Sequence, residues 1–231
     1  LLAEALRCEG IESQVTFIRN NIDYYSGATF GCHENYLVRR SAPLSEENVQ
    51  SLLTFLTLRM LYCGAGRVRA SHTAEARMEG VSGWTDSEFQ SSQRADYINN
   101  DLFEWVQFNR AIINTRDEPL ADPRKYRRLH LLHGDTSVLP ATLALKVGTT
   151  SLALDLLEID RLPKHALADA VLSFRTLSHT IKGPWMTPMA NGSSASAVAV
   201  LREFHANATA EFSHRDDETN QVLDLWDRAL T

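Results

Sequence analysis

Cysteine is scarce. The 231 residues include three, Cys8, Cys32 and Cys63, with no CxxC pair. A zinc knuckle, a thioredoxin-like site and a disulfide scaffold therefore have no support, and reduced thiols fit a cytoplasmic protein. Long hydrophobic runs are missing too: none approaches the roughly 20 apolar residues of a membrane span. The opening residues, with Glu4, Arg7 and Glu9, do not make a signal peptide. Positive charge is not in excess. There are 23 Lys+Arg against 29 Asp+Glu, a net charge of −6, which counts against a protein that coats nucleic acid or an anionic membrane. Neither GxGxxG nor GxxxxGK[ST] occurs, so a Rossmann or P-loop nucleotide site is unsupported. No Met precedes Leu1-Leu2-Ala3-Glu4, and the chain stops at Ala229-Leu230-Thr231 inside an expected helix. Both ends read as cuts in a longer protein.

What is present is ordinary globular material, 44% apolar and 23% charged, enough to bury a substantial core. Residues 1–9 read as the end of an amphipathic helix stopped by Gly10. Residues 14–19 (QVTFIR) alternate like a strand, and residues 33–39 (HENYLVR) make another. Ser45 before Glu46 and Glu47 is a helix start, and that helix is expected to reach about Leu61. Residues 70–92 read as a hairpin with an insertion. Residues 111–115 and 129–133 are strand-like, joined by a polar turn at 117–123. Helices are expected at 139–158, capped by Thr136 or Ser137, and at 163–180, 195–213 and 217–230. Residues 183–194 (GPWMTPMANGSS) read as a loop. Strands followed by helices predict an α+β fold, with a sheet-rich part at 11–135 and a helical part at 136–231.

Three strand segments carry polar residues on one face. A two-residue period puts His33 and Asn35 together opposite Glu34, Arg128 and His130 together opposite Leu129 and Leu131, and Asn114 with Arg116. This suits a sheet with one wet, functional side. Imidazoles and arginines there are suited to a divalent metal and a polyphosphate, although magnesium prefers oxygen ligands. The plainer reading makes each His an ordinary hydrogen-bonded residue, and makes Arg39, Arg40 and residues 124–128 (RKYRR) solvated faces or partners for Asp117, Glu118 and Asp122. Cys32 and His33 are a poor nucleophile–base pair, because adjacent strand residues face opposite ways.

Residues 27–40 (GATFGCHENYLVRR), 93–96 (QRAD), 112–119 (IINTRDEP), 126–130 (YRRLH), 134–135 (GD) and 145–158 (LKVGTTSLALDLLE) together resemble, in order, the Pup ligase and depupylase family. That family acts on the prokaryotic ubiquitin-like protein Pup and belongs to the glutamine-synthetase-like carboxylate–amine ligases. The resemblance implies a curved antiparallel sheet cradle backed by helices, with ATP and magnesium (Mg2+) in the cradle and a small C-terminal domain. It implies that His33 and His130 are metal-associated, that Asn35 and Arg128 contact ATP, and that Arg94 and Arg116 bind phosphate or carboxylate. Pup and pupylated proteins are the implied partners, with a functional link to the bacterial proteasome.

Departures accompany the resemblance. The family's Glu-x-Glu and catalytic Asp would lie upstream of residue 1, so this stretch alone is expected to be inactive. Leu120 stands where the family has His, and Thr136-Ser137 where it has Ser/Ala-Asn. Within the family, Gly27-Ala28-Thr29-Phe30, residues 63–68 (CGAGRV) and Asp96 lean toward the depupylase, which hydrolyses the isopeptide and deamidates a terminal Gln of Pup. The alternative is the ligase, which joins Pup's terminal Glu to a lysine through a glutamyl phosphate. A non-catalytic relative that binds Pup or ATP is a further alternative. A small-molecule carboxylate–amine ligase is disfavoured by NTRDEP and YRRLH.

Overall fold

The computed structural model describes residues 2–11, 19–23, 29–68, 89–104 and 110–231. Helix α1 (Leu2–Cys8) ends before Gly10, whose φ of 77° suits a residue without a side chain. Strand β1 (Glu34–Arg39) leads through Ser45, which accepts a hydrogen bond from Asn48 N, into α2 (Glu46–Leu58) and the short α3 (Met60–Cys63). Strands β2 (Arg67–Val68) and β3 (Phe89–Gln90) pair with each other. A 3-10 turn (Ala95–Tyr97), β4 (Asn100–Phe103), β5 (Ala111–Asn114) and β6 (Tyr126–Leu131) follow. Then come α4 (Pro140–Glu158), α5 (Ala170–His179), a hairpin of β7 (Met186–Pro188) and β8 (Ser194–Ser196), α6 (Ala197–Phe212) and α7 (Asp217–Ala229).

The main sheet has the order β1-β6-β5-β4 and is backed by helices. The α+β expectation therefore holds. Pairing is antiparallel at β1–β6 and β5–β6 but parallel at β4–β5, which departs from an all-antiparallel cradle. The core lies on the helical side. Phe55 of α2 meets Phe204 of α6 and Trp226 of α7, with ring centroids 5.3 and 5.9 Å apart. Gly148 lets α4 approach α7, because a Cβ there would lie 2.7 Å from Val222.

Four expectations about elements are corrected. Neither Thr136 nor Ser137 caps α4: Thr136 N donates to Asn21 Oδ1 and Arg19 binds the Ser137 carbonyl, so both belong to a separate tie. The cap position is Leu139, and Pro140 opens the helix with its fixed φ. Residues 163–169 are not helical. Leu167 N donates to Thr54 Oγ1 and Ala168 N to the Pro188 carbonyl, so buried hydroxyls of α2 and the neighbouring hairpin hold this stretch extended. The 183–194 loop contains most of a hairpin that turns at Asn191-Gly192, a pair that favours such turns. The strand expected at 129–133 is β6, which runs over 126–131. The expected strand at 14–19, apart from Arg19, and most of the 70–92 insertion lie outside the described residues.

Candidate functional site on the open face of the sheet

The β1–β6 register places Asn35 opposite His130, and the β5–β6 register places Asn114 opposite His130. Directly opposed residues share a face, so three polar side chains form a row across three strands. Two residues along, Arg128 lies opposite Leu37, which is half exposed. Arg128 Nε donates to Asn35 Oδ1 at 2.7 Å, which fixes the guanidinium fork over the strand pair.

His33 precedes β1. Its ring folds back over Gly31, where a Cβ would come 2.5 Å from Nε2, so a side chain at residue 31 would displace the ring. That rotamer brings His33 Nδ1 to 3.0 Å from His130 Nε2. Burial, then Arg94 and Arg128, lower the pKa of His33. Burial, then Arg128 and His33, bring that of His130 down to about 4. Both imidazoles are thus neutral near pH 7 and keep a lone pair each.

Arg94 is 3% exposed. Its Nη1 donates to Thr29 Oγ1 (3.0 Å) and to the Phe30 carbonyl (2.6 Å), while Nε has no partner. Arg116 does not join the row. Its side chain is largely exposed and pairs with Glu118 at 2.7 Å; Glu118 in turn lies 3.8 Å from Arg128 Nη1. Asn114 Oδ1 accepts from Arg116 N and its amide donates to the Glu104 carbonyl, so Asn114 ties the segment after β5. The structure therefore gathers His33, Asn35, Arg94, Arg128 and His130, and connects Arg116 through Glu118.

The acids expected as partners of the basic faces take up that role. Asp117 pairs with Arg40 at 2.6 Å and accepts from Arg128 N, and Asp122 pairs with Arg124. Sequence reasoning left Glu34 without a role beyond facing the other way. On that opposite face Arg59 holds it through two bonds of 2.6 and 2.9 Å, and Tyr36 adds a third. A charged residue between two site residues was the available signal.

The residues fit an anion well. Arg94 is a buried cation with an unused donor, and Arg128 is a pre-oriented fork, the arrangement that suits phosphate. They fit a metal in part. The paired imidazole nitrogens are close enough to share one proton or one small cation, but among the described residues no group of three or more His, Cys, Asp or Glu converges. Oxygen ligands for magnesium would have to be supplied by phosphate or by other parts of the protein. Among the described residues, no helix is long and apolar enough to cross a membrane.

Comparison with known proteins identifies the family. A family profile described as "Pup-ligase protein" matches residues 1–231. A Pup–protein ligase of Rhodococcus opacus is 39% identical over 225 residues, covering 96% of this chain and 47% of that protein. One from Mycolicibacterium smegmatis is 38% identical over 230 residues, covering 98% and 48%. The structure of the Pup ligase PafA in complex with ADP superposes with a TM-score of 0.79 at 36% identity, covering 99% of this chain and 49% of that one. A crystal structure of Pup with its ligase PafA gives 0.76, also at 36% identity. The chain spans about half the length of the curated relatives it matches.

These relatives carry the ligase name, and the lean toward the depupylase is not supported. The residues behind that lean have architectural duties. Gly64 leaves no room for a Cβ, which would come 2.1 Å from the Ser91 carbonyl, and Gly66 has a φ of 70°. Arg67 and Asp96 form an ion pair of 2.7 Å, and Asp96 also meets His179 at 2.8 Å. Of the Gly27–Phe30 signature, residues 27 and 28 lie outside the described residues.

Proposed function

The chain belongs to the Pup-ligase family, and we propose that it forms the nucleotide-facing part of a cytoplasmic Pup–protein ligase that uses ATP and magnesium. The observation that carries this reading is the neutral His33–His130 pair flanked by Arg128 and the buried Arg94 on one open sheet face. ATP, when bound, would supply a phosphoryl group to the side-chain carboxylate of Pup's terminal Glu, and a lysine amine would then displace that phosphate to form the isopeptide. Fixed positive charge is the principal requirement of such a transfer, because charge moves between oxygens while little else changes.

The chain's own residues meet that requirement in distinct ways. Asn35 aligns the Arg128 fork, so the guanidinium needs little reorganisation to receive a nucleotide. Arg94 offers its free Nε from a desolvated position, where electrostatic attraction is strong. Burial and the nearby arginines keep the two imidazoles uncharged, and neutral imidazoles leave a lone pair available to a cation that accompanies the phosphates. Arg116 stands at the rim, restrained by Glu118, and is assigned a phosphate- or carboxylate-binding role. Pup or a Pup-like protein and lysine-bearing targets are the proposed partners.

The test uses the full-length protein with ATP and magnesium, offered either Pup ending in Glu plus a lysine-bearing protein or a Pup-modified protein. Conjugation with formation of ADP is the expected result. Release of free Pup without conjugation would overturn the ligase reading in favour of the depupylase.

A further inference from the structure

Arg94 lies midway along a segment that is fastened at both ends to one helix. Ahead of it, Ser91 N donates to the Ser178 carbonyl at 2.8 Å and Ser92 N to Ser178 Oγ at 3.1 Å. Behind it, Asp96 Oδ1 accepts from His179 Nε2 at 2.8 Å, and the Ile98 carbonyl accepts from Arg175 Nη2. Arg175, Ser178 and His179 lie near the end of α5 and share a face, because residues three and four apart are neighbours on a helix. The same helix is rooted in the core by Phe174 and Leu177, each 1% exposed. Ser92 passes the constraint on, since its Oγ accepts from Arg94 N at 3.0 Å and from Ala95 N at 3.2 Å.

The His179 link is secure. Burial pushes the Asp96 carboxyl up, but the His179 hydrogen bond and charge, then Gln90 and Arg67, outweigh it and hold the group at about 2. An ionised carboxylate only accepts, so Nε2 carries a proton whether the imidazole is neutral or charged. Arg67 and Gln90 take the other oxygen, at 2.7 and 2.9 Å. Arg94 needs such support. Its guanidinium is buried, only Nη1 has printed partners in Thr29 and Phe30, and Nε is left for something else. A misplacement of about 1 Å in a site costs up to about a hundredfold in rate.

We propose that His179, acting through Asp96, is a positioning residue that holds Arg94 in place at the open face of the sheet. This inference rests on the phosphate- or carboxylate-binding role proposed for Arg94.

A double-mutant cycle tests it in the full-length protein with ATP, magnesium and both Pup substrates, so that conjugation and release are each followed. His179→Phe keeps a flat ring and removes the donor, and it should lower kcat by about tenfold or more. His179→Gln, whose amide nitrogen replaces Nε2, should recover most of the loss. In an Arg94→Lys background, His179→Phe should change kcat by less than about twofold, because the fork it positions is already gone. Without ligands, the Arg94 Nε–H resonance, identified by its absence from Arg94→Lys, should exchange with water faster in His179→Phe and return to the wild-type rate in His179→Gln. If His179→Phe does not fold, His179→Asn, too short to reach Asp96, takes its place in the cycle. Equal losses in the two backgrounds would overturn the proposal, as would unchanged kcat and exchange in His179→Phe. Release of Pup in place of conjugation would overturn the ligase reading, while the cycle is read from that reaction instead. Inactivity in both reactions would overturn the nucleotide-dependent function itself, and the Arg94 resonance would then decide the role of His179.

Discussion

The two faces of β1 use similar chemistry to opposite ends. Toward the helices, Glu34 meets Arg59, which is 1% exposed, and Arg59 also bonds Thr150 and the Lys146 carbonyl. Both oxygens of the Glu34 carboxylate are engaged there. Toward the open side, Arg128, Arg94 and two imidazoles converge with little negative charge among them. A saturated network holds a fold together, whereas an unsaturated one is completed by something else. Three consecutive residues, His33 just before β1 and Glu34 and Asn35 within it, thus divide between the open side and the helix-facing side of the sheet.

The largest expected effect lies on the saturated face. Glu34→Ala strands the buried Arg59 charge and should cost about 3–5 kcal/mol in denaturant unfolding. A loss below about 1 kcal/mol would break the comparison. Burial pushes the Glu34 carboxyl up, but the Arg59 charge and hydrogen bonds outweigh it and hold the group at about 2. Because the folded pKa is depressed from 4.5, this contribution is complete above about pH 4.5 and disappears as pH falls toward 2. A smaller effect follows for Gly134→Ala. The new methyl would lie 2.4 Å from Glu34 Oε1, and such overpacking costs about 1–3 kcal/mol.

Much of this division was legible in the sequence. Strand parity alone grouped His33 with Asn35 and Arg128 with His130, because each pair shares a strand period. It did not reveal which strands pair, and the parallel β4–β5 contact depends on tertiary packing. Arg116 was grouped with Asn114 by the same parity, but β5 ends at Asn114, so the alternation lapses before residue 116. The extended 163–169 stretch was hidden for a related reason. Its backbone partners, Thr54 and Pro188, are remote in sequence.

A third effect separates the two faces by pH. His130 is depressed from 6.5 to about 4, so the unfolded chain takes up a proton that the folded chain refuses. Stability from this side is therefore complete above about pH 6.5 and falls as pH drops toward 4, by at most about 1.4 kcal/mol per pH unit for one group. His130→Gln should flatten that window and leave the Glu34 window below pH 4.5 intact. A single acid transition untouched by His130→Gln would mean that the open face contributes no refused proton.

The smallest stability effect should come from Arg116→Ala. The Arg116–Glu118 pair is exposed at both ends, with side chains 63% and 49% accessible, and pairs of that kind contribute about 0–1 kcal/mol because water screens them. Unfolding should barely change, yet the proposed conjugation by the full-length protein should fall to a small fraction, since the role proposed for Arg116 is to bind phosphate or carboxylate. Glu118→Gln refines the point. It frees Arg116 and relieves Arg128 of its 3.8 Å neighbour, so it should spare turnover if Glu118 serves only as a resting partner. Equal losses in both variants would make the pair itself the working unit, and the rim would then belong with the saturated face rather than the open one.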